Sequence, residues 1–87
     1  AGARVALATD FNPGTAPSQD LNLTGLLARL KMKMTLPEVI GAYTVGAAYA
    51  LNLQSTKGSL ELNKDADFLC TSLSWRDLFY SAGLPFA

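Results

Sequence analysis

The sequence predicts an α/β fold, and three patterns support this prediction. An apolar run with a β-branched residue, residues 4–9, is typical of a strand that is buried on both faces of a parallel sheet. Apolar residues at helical spacing follow between residues 23 and 53. A period-two alternation over residues 59–62 and a short apolar run over 66–70 then indicate a β-hairpin.

The first predicted strand needs neighbours that the rest of the sequence does not provide. A parallel strand pairs with other parallel strands, and a hairpin elsewhere is a poor substitute for them. We therefore expect residues 4–9 to belong to a larger sheet, whose other strands lie in a longer polypeptide.

The first helix is expected after Pro13 and Gly14, which end the strand. Ser18, with Gln19 and Asp20 after it, can cap the N-terminus of this helix. Its apolar face consists of Leu23, Leu26, Leu27, Leu30 and Met34. The basic residues at its end, Arg29, Lys31 and Lys33, would complement the negative pole of the helix dipole.

A second, single helix is predicted from residue 36 to residue 53. Thr35 and Glu38 in the stretch TLPE form a capping box, with proline in the first turn. Gly41 and Gly46 lower the helix propensity of this stretch, and we expect them to permit close approach of another backbone. Beyond this helix, Asn63 suits a left-handed position in the hairpin turn.

A short last helix is predicted over residues 75–82, and Gly83 and Pro85 would end it. The single cysteine, Cys70, cannot form an internal disulfide, so a reducing compartment is the simpler expectation. Its apolar surroundings in the sequence predict a buried side chain.

The charge balance excludes some classes of partner. Seven basic and seven acidic residues give zero net charge, which provides no long-range attraction toward nucleic acid or an anionic membrane. The longest apolar-rich stretch, residues 39–53, is shorter than the ~20 residues needed to span a bilayer. We therefore expect a soluble, cytoplasmic protein without nucleic-acid or membrane partners.

The stretch that follows the first strand, TDFNPGT, is the candidate site. Ligands of open α/β sheets and barrels bind at the carboxyl ends of strands, where Asp10 stands. A lone aspartate there could also simply begin a turn. Asn12, Gly14 and Thr15 follow closely, however, so a carboxylate, an amide, a backbone N–H and a hydroxyl can converge on one small volume.

Residues 5–83 resemble the imidazolonepropionases, metal-dependent cyclic amidohydrolases of histidine degradation. The stretch ALATDFNPGT resembles the signature at the end of the eighth strand of their (β/α)8 barrel. The stretches KMTLPEVIGAYTVGAAYALNL and GSLELNKDADFL resemble segments that amidohydrolases share more widely, and Asn63 stands where these enzymes commonly have glycine.

The resemblance implies a C-terminal portion of such an enzyme. Residues 1–57 would hold the last barrel strand and the helices after it, and residues 58–72 the return strands of a small β-sandwich domain. Residues 73–87 would form the C-terminal helix and tail. This fragment would be inactive alone, and the sequence leaves open whether the parent enzyme is a homodimer.

The resemblance also implies roles for the candidate site. Asp10 matches a catalytic aspartate that ligates zinc or iron and helps to move a proton from the attacking water. Asn12 and Gly14 match positions that hold the product, N-formimino-L-glutamate, and Thr15 matches a position that contacts the substrate, 4-imidazolone-5-propanoate. The sequence has no histidine, whereas the other metal ligands of these enzymes are histidines. We therefore expect the isolated chain to bind no catalytic metal.

Two other hypotheses remain open from the sequence. One is a piece of another cyclic amidohydrolase or deaminase, resembling a dihydroorotase or a guanine deaminase. The other is a small stand-alone domain that binds a protein partner, in which TDFNPGT is only a strand-to-helix turn.

Overall fold

The computed structural model describes residues 3–14, 20–72 and 74–80. Within these residues it has three α-helices, α1 (Leu21–Lys31), α2 (Leu36–Tyr43) and α3 (Val45–Ala50), a 3-10 helix (Trp75–Asp77), and no β-strand. The helical half of the predicted α/β fold is therefore present in this part of the chain, and the strands are not.

Helix α1 begins at an aspartate cap. The Asp20 carboxylate accepts hydrogen bonds from the backbone N–H groups of Asn22 at 2.9 Å and Leu23 at 3.3 Å. Two of the three clustered basic residues, Arg29 and Lys31, lie in its last turn, as predicted. Ser18, the other predicted capping residue, lies outside the described residues.

The capping box predicted at the start of α2 is confirmed. The Glu38 carboxylate accepts a hydrogen bond from the Thr35 backbone N–H at 2.8 Å, and the Thr35 hydroxyl accepts one from the Glu38 N–H at 3.3 Å. The hydrogen bond from the Thr35 backbone, and to a smaller extent the interaction with the Thr35 side chain, lowers the pKa of Glu38 below its ordinary value. The ionised carboxylate therefore helps to start the helix.

The prediction of one helix from 36 to 53 is wrong at Thr44. The backbone there departs from helical geometry, with φ −110° and ψ −89°, and separates α2 from α3. The Thr44 hydroxyl donates to the Ile40 carbonyl at 2.8 Å, which competes with the regular helix bonds. Asn52, at φ 60°, then ends the helical stretch before residue 53, because a left-handed residue cannot continue it.

The core lies where α1 and α2 meet. Ala28, Val39 and Phe79 form its buried centre, and Val39 is fully buried. Around them lie partly buried apolar side chains: Leu7, Met34, Leu36, Ile40, Tyr43 and Leu78. The core joins segments that are far apart in the sequence.

Phe79 packs directly on the backbone of α1. A Cβ added to Gly25 would come within 3.0 Å of three ring atoms of Phe79, so only glycine fits there without a shift. The centroid of the Phe79 ring lies 5.2 Å from that of the Tyr43 ring. The backbone carbonyl of Phe79 accepts a hydrogen bond from the Arg29 guanidinium at 3.1 Å. Arg29 therefore does more than balance the dipole of α1.

The strand predicted over residues 4–9 does not form in the described structure. The segment has no strand partner, and Val5, predicted to be buried, is 40% exposed. The physical reason is that a strand depends on the hydrogen bonds of a neighbouring strand. Here the segment lies on the helices instead.

The hairpin predicted between residues 59 and 70 does not form either, although the left-handed turn at Asn63 does, with φ 71°. Leu62 is 92% exposed, so the apolar side chain of the alternating pattern is not buried against an apolar surface. Lys57 organises the loop instead, with its ammonium 2.9 Å from Asp65 and 2.5 Å from Asp67. The hydrogen bond to Asp67, and to a smaller extent the one to Asp65, raises the pKa of Lys57.

Two further predictions differ from the structure. Cys70 is exposed rather than buried, because the hairpin to which it was predicted to belong does not form. The last helix is limited to the 3-10 turn Trp75–Asp77 among the described residues, and Gly83 and Pro85 lie outside them.

The surface is large for the size of the chain. Its accessible area is 6336 Å², whereas a folded monomer of 9.2 kDa is expected to expose roughly 4,900 Å². Leu60, Phe68 and Leu69 are each about two-thirds exposed. None of the helices in the described part of the chain has the length and apolar character needed to cross a bilayer.

The capping box predicts a pH dependence of stability. The folded pKa of Glu38 lies below its ordinary 4.5, so its contribution to the free energy of unfolding is present above pH 4.5 and is lost as the pH falls through the folded value. Glu38→Gln keeps an acceptor but cannot titrate. Denaturation of the two proteins as a function of pH should therefore give curves that converge at low pH, and a constant separation would contradict this assignment.

Candidate functional site

Two contacts attach residues 4–7, the segment that leads into the candidate site, to α2 and α3. The Arg4 guanidinium lies over the ring of Tyr49, 4.1 Å from its centroid. The backbone N–H of Leu7 donates to the Ala42 carbonyl at 3.3 Å. These contacts fix both the position and the direction of residues 4–7 on the helices.

A third contact lies between these two and involves backbone alone. The carbonyl oxygen of Val5 rests against Gly46 so closely that an added Cβ would lie well under 3.0 Å from it. Gly41, in contrast, has open space where its Cβ would be. The predicted close approach of a backbone is therefore confirmed at Gly46, and at Gly41 it is wrong.

Asp10 follows this segment in a left-handed conformation, with φ 50°. Aspartate adopts this region more readily than most residues, but it is held there only where neighbouring contacts favour it. The Asn12 side chain donates a hydrogen bond to the Asp10 backbone carbonyl at 3.0 Å and so stabilises the Asp10 backbone from its C-terminal side. Asp10 is an exposed residue.

The same Asn12 side chain also closes the turn that follows. Its carbonyl oxygen accepts a hydrogen bond from the Gly14 N–H at 2.9 Å, which is an Asx turn. The structure thus brings Asp10, Asn12 and Gly14 together in one turn. The Gly14 N–H is engaged within that turn here, and Thr15, the fourth predicted site residue, lies outside the described residues.

The residues at this turn do not make a complete metal site. A zinc site needs three or four protein ligands, and Asp10 offers one carboxylate. Over residues 3–14, 20–72 and 74–80, no three His, Cys, Asp or Glu side chains are grouped so that they could hold a metal ion. Asp10 can supply a single ligand, a hydrogen-bond acceptor, or a proton acceptor.

Sequence reasoning did not find the residues that hold the site in place. Nothing in the pattern around Arg4 or Tyr49 indicates that they meet, because the pairing depends on the path of the chain. The role of Phe79 was missed for the same reason. Gly46 did give a signal, since a glycine within a helical pattern often marks a close contact.

Comparison with known proteins assigns the sequence to a family. The model of the Amidohydrolase family matches residues 1–83. The chain belongs to the amidohydrolase family.

Three similar proteins are all named imidazolonepropionase. The imidazolonepropionase of Bdellovibrio bacteriovorus is 71% identical over 83 residues, which is 95% of this chain and 20% of that protein. The imidazolonepropionases of Christiangramia forsetii and Flavobacterium johnsoniae are 52% and 48% identical over 77% and 82% of the chain, which is 16% and 17% of those proteins. The chain thus spans 16–20% of the length of these curated relatives.

The Asx turn predicts the behaviour of one amide. Asn12→Leu removes the acceptor for the Gly14 N–H, and we expect the Gly14 amide to exchange roughly fivefold to tenfold faster, as the loss of about 1 kcal/mol implies. Asn12→Asp is the matched control, because it keeps an acceptor oxygen at the same place. Hydrogen exchange followed by NMR would decide this, and equal Gly14 rates in the two variants would contradict the turn.

Proposed function

We propose that this chain is the C-terminal part of an imidazolonepropionase, which opens the ring of 4-imidazolone-5-propanoate to N-formimino-L-glutamate by hydrolysis. The observation that carries this proposal is the 71% identity to a protein of that name over 95% of the chain. The matched stretch includes the turn that brings Asp10, Asn12 and Gly14 together.

Asp10 is the catalytic residue in this proposal. Its carboxylate would supply one ligand to a divalent metal, zinc or iron, and the remaining ligands would come from the rest of the longer protein. Such a metal lowers the pKa of bound water. The carboxylate of Asp10 accepts the proton of the attacking water and delivers it to the leaving nitrogen.

The other turn residues bind the substrate and product in this proposal. Asn12 and Gly14 hold the amino-acid portion of the product, and Thr15 contacts the substrate. An amide, a backbone N–H and a hydroxyl are suitable neutral donors to a carboxylate or a ring carbonyl. Because the Gly14 N–H donates to Asn12 here, it can reach a ligand only if the Asx turn opens or if a ligand oxygen shares that hydrogen.

The proposal also accounts for the large surface. The area exposed beyond that of a monomer of this mass would be covered by the barrel and the small sandwich domain of the longer protein. In that setting residues 4–9 and 59–70 would gain the strand partners that they lack here, with 1–57 in the barrel, 58–72 in the sandwich and 73–87 as the C-terminal tail.

The role of Asp10 is tested in the full-length protein that contains this chain. Asp10→Asn keeps the shape of the side chain but removes the negative charge, and we expect kcat for imidazolone propanoate hydrolysis to fall roughly 10²–10⁴-fold. The bound metal per protein should fall as well. Asp77→Asn, at an exposed aspartate of the 3-10 helix, is the matched control and should change neither value.

Two results would overturn the proposed function. One is a full-length protein that does not hydrolyse imidazolone propanoate although it is folded and loaded with zinc or iron. The other is an Asp10→Asn variant that retains the kcat of the unsubstituted enzyme.

A further inference from the structure

We propose that Asn12 is a positioning residue for Asp10, in addition to the product contact proposed above. Its side-chain amide holds the backbone of Asp10 in the conformation that sets the direction of the carboxylate. The inference rests on the proposed function, in which Asp10 is a ligand of a divalent metal. It gives Asn12 a role that precedes substrate binding, because the orientation of a metal ligand affects the affinity for the metal itself.

The first argument is the backbone conformation of Asp10. Its φ of 50° lies in the left-handed region, which is uncommon for a residue other than glycine and persists only where neighbouring contacts hold it. With the preceding strand fixed, a rotation about the N–Cα bond moves Cβ and the carboxylate together. The direction of the Asp10 carboxylate therefore depends on the contact that maintains this φ.

The second argument is the geometry of the Asn12 amide, which is held at both ends. Its Nδ2 donates to the Asp10 carbonyl at 3.0 Å, and its Oδ1 accepts from the Gly14 N–H at 2.9 Å. A carbonyl only accepts and a backbone N–H only donates, so a single orientation of the amide satisfies both partners. The half-buried Asn12 side chain thus ties Asp10 to Gly14 across the turn.

The third argument is that the two residues after Asn12 favour this turn. The ring of Pro13 fixes its own φ and disfavours a helical conformation of Asn12. A Cβ added to Gly14 would lie 3.1 Å from Asn12 Oδ1, which is closer than an ordinary van der Waals contact. The absence of a side chain at position 14 therefore allows the amide to approach the Gly14 N–H.

The contact between Asn12 and Asp10 is compatible with the longer protein. Both hydrogen bonds of the amide join residues that are two positions apart, so they do not depend on distant segments. The strand proposed over residues 4–9 ends before Asp10, and its pairing uses none of the backbone groups in this turn. An amide nitrogen carries two hydrogens, and the bond to Asp10 uses one of them.

The experiment measures the zinc affinity of the metal-free full-length protein by competition with a chelator, in the absence of substrate. We expect Asn12→Leu, which keeps the size of the side chain but removes both hydrogen bonds, to weaken zinc binding roughly 10–100-fold. A lost substrate contact cannot contribute to this value. The double variant Asp10→Asn with Asn12→Leu should bind zinc as Asp10→Asn alone does, because Asn12 acts through the Asp10 carboxylate.

The chain contains a matched control for this substitution. Asn52 also has a left-handed backbone, with φ 60°, and its side chain accepts a hydrogen bond from Gln54, two positions further on, at 3.5 Å. Asn52→Ala should lower the thermal midpoint of the protein, because alanine tolerates this backbone less well than asparagine does. We expect it to leave zinc affinity and kcat unchanged, whereas Asn12→Leu should lower kcat as well as raise KM.

The outcomes separate this inference from the proposed function. An Asn12→Leu variant that raises KM but keeps zinc affinity and kcat would show a ligand contact alone and would overturn the inference. Losses of zinc affinity that multiply in the double variant would overturn it too, and so would an equal loss in Asn52→Ala. An Asp10→Asn variant that binds zinc as tightly as the unsubstituted protein would instead overturn the proposed function.

A second variant keeps the inference testable if Asn12→Leu does not fold. Asn12→Ala removes the same two hydrogen bonds without placing a large apolar side chain at the half-buried position. We expect the same loss of zinc affinity, again absent when the substitution is combined with Asp10→Asn. A folded Asn12→Ala protein with unchanged zinc affinity would contradict the positioning role.

Discussion

The contact between α1 and α2 around Val39 is the constraint on which the rest of the described structure depends. Val39 has no exposed surface, and its neighbours in the buried centre are Ala28 of α1 and Phe79 near the end of the described chain. Burying a side chain of this size contributes roughly 2 kcal/mol, a large share of the stability of a small domain. With α2 fixed in this way, α3 and the docking surface for residues 4–7 follow from it.

The path from this core to the candidate site can be traced through individual contacts. Leu7 is packed against the core cluster, and its backbone N–H bonds to Ala42 of α2. Three residues later the chain reaches Asp10, and the Asn12 side chain then holds both Asp10 and Gly14. The site is a loop, but a packed core determines where that loop begins. A loop on a fixed scaffold is a common arrangement for functional residues.

The features that could be predicted from the sequence are those set by nearby residues. The capping box of Thr35 and Glu38, the basic end of α1 and the left-handed Asn63 are local and are present. The strands at residues 4–9 and 59–70 could not form from local pattern alone, because a strand needs partners that the described structure does not contain. The break at Thr44 reflects a hydroxyl that competes for a helix carbonyl, which the apolar periodicity does not reveal.

The candidate site also combines features set by nearby residues with features set by contacts between distant segments. Asp10, Asn12 and Gly14 were identified from the sequence, and the turn that joins them depends on neighbours in the chain. Arg4, Tyr49 and Phe79 act through contacts between distant segments, and a single sequence gives no sign of such pairs. The accessible surface of the chain also exceeds that expected for a folded monomer of this mass.

The measurement that tests the account most directly is hydrogen exchange of the Leu7 amide in this chain. The docking of residues 4–7 on α2 and α3 places the Leu7 N–H 3.3 Å from the Ala42 carbonyl. The account predicts exchange at least about tenfold slower than the intrinsic rate of the same sequence when unfolded, with protection lost in Gly46→Ala and retained in Gly41→Ala. A Leu7 amide that exchanges at the intrinsic rate would contradict the claim that the helices hold the segment that carries Asp10.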